Sequence, residues 1–365
     1  MTYLFSSNNI ITNEVEVKND AGNALPVVGV EGSPLTVNFS GVSVDSFGRL
    51  RMSTPYTVFD NSFNIDEKTR VWDTLTASSG AINFQANIAA VEMGITTAAG
   101  SKVVRQTKQY FQYQPGKSLL SMNTFVMNPA KANLRQRVGY FDSKNGVFLE
   151  RDGDTAYIVK RSYVTGSAVD TRISQLNWNQ DTLLGSGASG KNLNLDKAQI
   201  FFTDLEWLGV GSVRAGFVID GELIIAHQFN HANVESNVYM TTATLPVRYE
   251  IENTGVTGNA SVLKQICSTV ISEAGYAPAV ITRSASTDLA GVEMTQTSFR
   301  PLISLRLKNN YTDKVVVPVR ADLYGLQTTP FVYKIIMNAN ISGGTWNTLG
   351  SDSVVEYNSN ATILN

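Results

Sequence analysis

The chain of 365 residues is poor in metal-binding and redox-active side chains, with one cysteine, Cys267, and two histidines, His227 and His231. A lone cysteine cannot form a disulfide within the chain, and we expect it to be a small interior residue. The histidines follow a run of strand-forming residues, and in a strand two residues four apart are separated by about 13 Å, too far to share one ion. The sequence therefore predicts no metal site.

Charged residues and long apolar runs are also scarce. Charged residues make up 16% of the sequence and the formal net charge is -2, whereas an average soluble domain has roughly 25% charged residues. So little surface charge favours an oligomer, and the acidic balance argues against nucleic-acid binding. No run approaches the roughly 18 apolar residues of a membrane span, and the first residues are not typical of a signal peptide. We expect synthesis in a reducing cytoplasm.

A glycine-rich stretch, Gly185-Ser-Gly-Ala-Ser-Gly-Lys191, matches two nucleotide-binding patterns, G-x-G-x-x-G and G-x-x-x-x-G-K. Both patterns bind phosphate only where a buried strand precedes the loop and a helix N-terminus follows it. The sequence that follows does not predict a helix, and Asn192 stands where a magnesium-binding Ser or Thr is required. The stretch therefore predicts a flexible surface loop between two strands, and we expect no cofactor.

Strand signals dominate residues 73–275. The pairs Asp220-Gly221 and Asp152-Gly153 lie between apolar runs, which is typical of tight hairpin turns. Turn signals recur every roughly 8 to 12 residues, as in a sandwich or barrel. The predicted strands include Ala81–Ala90, Lys102–Gln114, Ser118–Met127, Leu134–Phe141, Gly146–Glu150, Thr155–Arg161, Val247–Asn253 and Ser261–Ser272. The sequence thus predicts an all-β, antiparallel β-sandwich.

The flanking regions predict a three-part organisation. Residues 1–72 are expected to form an extended N-terminal arm with short strands, residues 73–275 the sandwich, and residues 276–365 a smaller β-domain that begins with a linker over 276–298. Within the last part, three apolar runs predict strands: Phe299–Leu307, Lys314–Tyr324 and Phe331–Met337.

Two acidic residues, Asp204 and Glu206, resemble a catalytic pair. Residues two apart in a strand point to the same side, about 6.6 Å apart along the backbone, and the carboxyl groups of a retaining glycosidase lie ~5 Å apart. Leu208 occupies the next position on that side, where a third acid would be expected. The alternative is an ion-paired strand edge beside the apolar Leu205 and Trp207, and we favour this interpretation.

The stretch from Met93 to Phe141 contains no acidic residue, although it contains several basic and aromatic ones. The basic residues are Lys102, Arg105, Lys108, Lys117, Lys131, Arg135 and Arg137, interleaved with Tyr110, Phe111 and Tyr113. Such a pattern indicates either stacking on single-stranded nucleic acid or a subunit interface that faces an acidic partner. The acidic balance of the whole chain favours the interface.

Several further segments resemble virion structural proteins of tailed bacteriophages, from about residue 42 to the C-terminus. They are Asp45-Ser-Phe-Gly-Arg-Leu-Arg, Thr57-Val-Phe-Asp60, Asn177-Trp-Asn, Trp207-Leu-Gly-Val-Gly-Ser-Val-Arg214, Phe229-Asn-His-Ala-Asn233, Leu245-Pro-Val-Arg-Tyr-Glu-Ile-Glu-Asn253 and Lys264-Gln-Ile-Cys-Ser. The resemblance implies membership of a phage particle and no catalytic residues. Residues 73–275 also look like a concanavalin-type jelly roll, judged by the Trp207 segment and the Gly- and Asn-rich loops.

These observations together predict a non-enzymatic structural component of a tailed-phage virion, made in the host cytoplasm and exposed on the tail, fibre, baseplate or capsid exterior. We expect other virion proteins as partners and a homo-oligomer, with a trimer as the first hypothesis. The alternative is a glycan-binding host-attachment module, in which Trp178, Trp207 or Tyr157 would stack on sugars. A glycosidase that uses Asp204 and Glu206 is the third hypothesis.

Overall fold

A computed structural model describes the chain in part. The described residues are 15–18 and 24–27 (as strands only), 54–273, 275, 281–287, 291–293, 299–311, 314–325 and 331–363. Residues 1–52 and 53–365 form separate compact units. Most of the arm and of the linker predicted over 276–298 lies outside the described residues, and the division at residues 72 and 275 stays a prediction.

In the first unit, β1 (Val15–Lys18) pairs with β2 (Ala24–Val27) in an antiparallel hairpin. In the second unit, the described regular secondary structure consists almost entirely of strands. They are β3 (Tyr56–Ser62), β4 (Trp72–Ala77), β5 (Ala81–Gln85), β6 (Ala90–Ile95), β7 (Lys102–Thr107), β8 (Leu119–Val126), β9 (Leu134–Phe141), β10 (Gly146–Asp152), β11 (Thr155–Ser162), β12 (Val169–Ser174), β13 (Gln199–Leu205), β14 (Val213–Ile219), β15 (Glu222–Phe229), β16 (Val247–Asn253), β17 (Ser261–Ser272), β18 (Ser304–Leu307), β19 (Ile341–Ser342), β20 (Asn347–Thr348), β21 (Val355–Asn358) and β22 (Thr362–Ile363).

Helical structure is limited to three short 3-10 turns, Ala86–Ile88, Gln175–Asn177 and Asn309–Tyr311. No helix within the described ranges is long and apolar enough to cross a membrane.

Two antiparallel sheets form a jelly-roll-like sandwich, which confirms the predicted fold class. The seven-stranded sheet has the order β12-β11-β10-β9-β16-β7-β4. The eight-stranded sheet has the order β15-β14-β13-β8-β17-β6-β5, and β3 pairs with β17. Side chains alternate between the two faces of each strand, so that one face of each sheet packs into a shared apolar core. Phe125, Phe201 and Phe217 of one sheet and Val138, Leu149 and Ile158 of the other belong to this core.

Both predicted hairpins are present, and they differ in turn type. Asp220 and Gly221 have φ values of 54° and 84° and connect β14 to β15, with Ile219 paired to Glu222. Positive φ at both central residues identifies a type I′ turn. In the β10–β11 hairpin, Asp152 pairs with Thr155 and only Gly153 has positive φ, 63°. The turn residues there are therefore Gly153-Asp154, one position later than the predicted Asp-Gly pair.

The strand predictions hold best in the sandwich. Leu134–Phe141, Val247–Asn253 and Ser261–Ser272 are strands with the predicted bounds. Two predicted strands are too long. Ala81–Ala90 is interrupted by the 3-10 turn Ala86–Ile88, which Ala89 follows with φ 49°. Lys102–Gln114 ends at Thr107, whose hydroxyl donates to the Gln109 carbonyl at 2.8 Å. A local side-chain bond of this kind competes with continued strand pairing.

The C-terminal region contains small sheets and long irregular stretches. β18, β21 and β20 form a three-stranded sheet, and β19 pairs with β22. The strand predicted over Phe299–Leu307 is reduced to β18. The predictions for Lys314–Tyr324 and Phe331–Met337 are wrong for the single chain, because the described parts of these runs contain no strand. A strand-type sequence becomes a strand only where a neighbouring strand pairs with it.

The basic stretch between Met93 and Phe141 does not form one surface. Arg105 lies in the interior, where Nε donates to Gln265 Oε1 at 2.8 Å and the guanidinium contacts the Phe63 and Trp72 rings. Burial lowers the pKa of Arg105 to about 10. Lys108 instead pairs with Asp73 at 3.4 Å. Both cations therefore have partners within their own chain, and the predicted interface with an acidic partner is not formed by a single face.

The β14–β15 turn gives a direct test of the fold. Replacing Gly221 by Ala places a Cβ at φ 84° with no steric contact, so the expected loss of about 1 kcal/mol is conformational. The control is Gly258→Ala, where φ is not positive and the space is also open. Urea unfolding followed by tryptophan fluorescence should show a lower midpoint for Gly221→Ala only. Equal midpoints would contradict the turn assignment.

Candidate functional site

Asp204 and Glu206 do not form the predicted pair on one strand. The strand β13 ends at Leu205, and Glu206 lies exposed in the loop that follows. Asp204 accepts hydrogen bonds from the Ser118 hydroxyl and from Arg214, which lies opposite it on β14. Its charge is therefore neutralised by a cation on the next strand. This arrangement corresponds to the ion-paired strand edge that the sequence offered as the alternative.

The two histidines are buried among aromatic rings. His231 stacks on Tyr239 with ring centroids 3.8 Å apart, and its Nδ1 lies 2.6 Å from the Gly211 carbonyl oxygen. His227 Nδ1 accepts a hydrogen bond from the Asn179 amide at 3.2 Å. Burial lowers both pKa values, that of His227 to about 4. In the part of the chain that the structure describes, no group of three His, Cys, Asp or Glu residues could hold a metal ion.

The glycine-rich stretch is a loop between β12 and β13, as the sequence predicts, and internal hydrogen bonds hold it closed. The Gly185 amide donates to the Lys191 carbonyl at 2.9 Å, and Leu184 forms a β-bridge with Asn192. Asp181 accepts from the Ser189 amide at 2.7 Å and from the Leu183 amide at 2.8 Å. Burial raises the pKa of this carboxyl, but the amide bonds outweigh the effect and the pKa is lowered. The Asp181 carboxylate thus already accepts from loop amides that a bound phosphate would need as donors.

Two of the three aromatic residues proposed for sugar stacking are structural. Trp178 is 4% exposed, and its indole donates to the Ile173 carbonyl at 3.1 Å. Trp207 is half-buried, packs edge-on against Tyr113 and donates to the Met240 carbonyl. Only Tyr157 lies on an outer sheet surface, where the Arg172 guanidinium is 4.1 Å from its ring centre.

A dense set of ion pairs covers the outer side of the seven-stranded sheet. We call this surface the charged face; it comprises Lys102, Arg135, Arg137, Glu150, Asp152, Arg161, Asp170, Arg172, Arg248, Glu250 and Glu252. The strand register creates it, because Arg137 lies opposite Glu150 on β10 and opposite Glu250 on β16. Arg137 reaches these carboxylates at 2.6 and 3.0 Å.

The centre of the charged face is buried, since Glu150, Glu250 and Arg137 are at most 7% exposed. Phe141, Phe148 and Val159 form a small apolar cluster there, separate from the main core. The Arg137 and Arg161 guanidiniums lie 5.7 and 5.1 Å from the centre of the Phe148 ring. Arginine stems cover apolar rings in this way while the charged ends form ion pairs.

Electrostatics on the charged face favour the ionised forms. Burial alone would raise the pKa of Glu250, but Arg248, Lys102 and Arg137 outweigh it and lower the pKa to about 2. Burial likewise lowers the pKa of Arg137, and the attraction of Glu250 and Glu150 reverses the effect and raises it. The signal that could have located this face is the alternation of charges within predicted strands, as in Arg248-Tyr-Glu-Ile-Glu252.

The outer side of the eight-stranded sheet is different, since apolar side chains predominate there. We define the apolar face by eight residues on this side: Leu223, Ile225, Val218, Ile200, Phe202, Met122, Thr124 and Cys267. These residues alternate along their strands with core residues such as Phe125, Phe201 and Phe217. A groove of about 370 Å³ lies on this face, lined partly by Asp60, Ile200 and Cys267. Cys267 is a free, partly exposed thiol rather than a fully buried core residue as predicted.

No protein-family model and no curated protein matches the chain. Among solved structures, a legume lectin-like domain from Entamoeba histolytica is 12% identical, covers 57% of this chain and 95% of its own, and has a TM-score of 0.35. A glycosyl hydrolase family 16 protein from Mycobacterium smegmatis is 8% identical, with coverages of 59% and 100% and a TM-score of 0.40. A protein of unknown function from Shewanella oneidensis is 10% identical, with coverages of 68% and 100% and a TM-score of 0.39.

The lowered pKa of Glu250 predicts loss of stability in acid. A carboxyl whose pKa falls from 4.5 to about 2 on folding stabilises the fold above pH 4.5, and this contribution, about 3 kcal/mol, is lost as pH falls towards 2. Urea unfolding at a series of acidic pH values should show a shallower pH dependence for Glu250→Gln than for the unchanged protein.

Asp322→Asn is the matched control, because Asp322 forms an exposed ion pair with Arg320. It should leave the pH dependence unchanged. If Glu250→Gln and the unchanged protein lose stability in parallel between pH 4.5 and 2, the ion pairs do not stabilise the folded state as described.

Proposed function

We propose that this protein is a non-enzymatic structural component of a tailed-phage particle, displayed on the tail, fibre, baseplate or capsid exterior and joined to copies of itself and to other virion proteins. The sequence resemblance is the reason for assigning the protein to a phage particle. The structure supports an assembling role. The side chains of the charged face form ion pairs within the chain, and the two acids considered for catalysis do not form a pair on one strand.

One observation carries the proposal: apolar, strand-type segments near the C-terminus are exposed in the single chain. Val319, Tyr324, Val332, Ile335 and Met337 are between 72% and 83% exposed. An exposed apolar patch of this extent marks an interaction surface or an aggregation liability. Strand-type sequences that lack a strand partner in their own described chain can pair with another chain.

Glycan attachment is the alternative function. It rests on Tyr157, because the indole rings of Trp178 and Trp207 are held by contacts within the chain. A glycosidase is disfavoured by the ion pair between Asp204 and Arg214. We therefore place assembly first. A trimer remains the first hypothesis for its symmetry.

The proposal is tested on the particle itself. Antibodies raised against the purified protein and coupled to gold should label intact virions of the phage that encodes it, at a regular position on the tail or capsid exterior. Labelling should disappear when the antibody is first incubated with the free protein. Virions that contain no detectable copy of the chain by mass spectrometry would refute a role in the particle.

The assembling role has a separate test in solution. We expect the purified protein to have a multiple of the monomer mass in size-exclusion chromatography with light scattering. Ile335→Asp places a charge on a side chain that is 80% exposed and should lower this mass. Val256→Asp, at a position 70% exposed and outside the C-terminal region, should not. A protein that is monomeric without any substitution would contradict the assembling role.

A further inference from the structure

Arg105 carries a positive charge through the core of the sandwich. It lies on β7 of the seven-stranded sheet, opposite Tyr249 on β16 and Thr74 on β4. The residue is 1% exposed, and its side chain crosses to the facing sheet, where Nε donates to Gln265 Oε1 on β17 at 2.8 Å. A buried charge is costly unless an opposite charge accompanies it, so this guanidinium requires a counter-ion.

The partners of the guanidinium within the chain are neutral. Nη1 donates to the Thr74 hydroxyl at 3.2 Å, and Nη2 donates to the Glu67 backbone carbonyl at 2.6 Å. Burial lowers the pKa of Arg105 more than the attraction of the Glu67 carboxylate raises it. Arg137, in contrast, has two carboxylates at 2.6 and 3.0 Å. Among the described residues, no carboxylate forms an ion pair with Arg105.

Two further hydrogen-bond donors beside Arg105 lack an acceptor. Gln265 Nε2 and Trp72 Nε1 are buried and have no hydrogen-bond partner among the described residues. The Gln265 amide cannot be reversed, because its NH2 group would then face the donating Nε of Arg105. The Trp72 indole, whose ring centre lies 5.7 Å from Arg105 Cζ, is a donor only. This part of the core therefore lacks both acceptors and negative charge.

We propose that a small inorganic anion, chloride under physiological conditions, binds beside Arg105 as its counter-ion and accepts from Trp72 Nε1 and Gln265 Nε2. A halide accepts hydrogen bonds from several directions and donates none, which suits a site where only donors remain. A water molecule would accept from the same donors, but it would leave the charge uncompensated, and its own hydrogens would need acceptors.

The surroundings of Arg105 give an ion a short way in. β4 is an edge strand of its sheet, and Thr74, which accepts from Nη1, is exposed. The guanidinium therefore lies one hydrogen bond from the protein surface. Because Arg105 belongs to one sheet and Gln265 to the other, an anion bound to both side chains would strengthen the contact between the sheets.

Urea unfolding at constant ionic strength tests the site in solution. Sodium chloride or bromide replaces sodium gluconate stepwise, since gluconate is too large for a site of this kind. We expect the unfolding midpoint to rise with halide concentration, as for any ligand that binds the folded state alone. Equal midpoints in halide and in gluconate would overturn the inference.

Gln265→Glu is the decisive variant, because it places a carboxylate where Oε1 now accepts from Arg105 and keeps the shape of the side chain. We expect it to lose the halide dependence, since the counter-ion is then part of the chain. Arg105→Met removes the charge and should lose the dependence as well. Arg320→Gln is the control. The Arg320 side chain is 77% exposed, and this variant should respond to halide as the unchanged protein does.

A halide response that persists in Gln265→Glu would come from general effects of the salt and would refute the site, even where Arg105→Met does not fold. Crystals grown in sodium bromide locate the ion directly. They should show an anomalous peak within hydrogen-bonding distance of Arg105 and of Trp72 Nε1 or Gln265 Nε2. The absence of a peak, or the Glu67 carboxylate in its place, would refute the proposal. A peak without any halide response in solution would indicate an adventitious ion only and would also refute it.

Discussion

Strand register is the constraint on which the rest of the structure depends. Because side chains alternate between the two faces of a strand, a shift of one residue would exchange core and surface along its whole length. Register on β9 places Arg137 between Glu150 and Glu250, and register on β13 places Ile200 between Val218 and Thr124. The same rule thus produces a charged outer surface on one sheet and an apolar one on the other.

The two surfaces have opposite energetic consequences. On the charged face each desolvated carboxylate has a cation within hydrogen-bonding distance, so the cost of burial is offset within the chain. Removing Arg137 would take away the cation that Glu150 and Glu250 share, and would leave Glu150 with Arg172 alone and Glu250 with Arg248 alone as hydrogen-bonded cation. The apolar face and the exposed C-terminal segments differ, because their side chains remain in contact with water. They would be buried only by another surface. This difference is why we relate the proposed assembling role to the exposed apolar segments rather than to the charged face.

Much of the sandwich could be predicted from sequence, and the reasons are local. Asp220-Gly221 carries its turn type in its own residues, and Ser261–Ser272 is rich in β-branched residues that favour strands. The alternating charges of Arg248-Tyr-Glu-Ile-Glu252 indicate a charged strand face, but its partners could not be predicted, since Arg137 and Glu250 are 113 residues apart and meet only through strand pairing. The strand prediction for Lys314–Tyr324 was wrong for the opposite reason. The composition of this run favours a strand, but no strand in the described chain pairs with it.

Gly139 illustrates how closely packed the charged face is. A Cβ at this position would lie 2.6 Å from the Phe148 Cα on the neighbouring strand, so the two backbones and the ring leave room for hydrogen alone. Substitution here would push β9 and β10 apart and displace the ring over which the arginines lie. During evolution this position therefore has no small step open to it, because even the single methyl group of alanine would meet the backbone of the neighbouring strand.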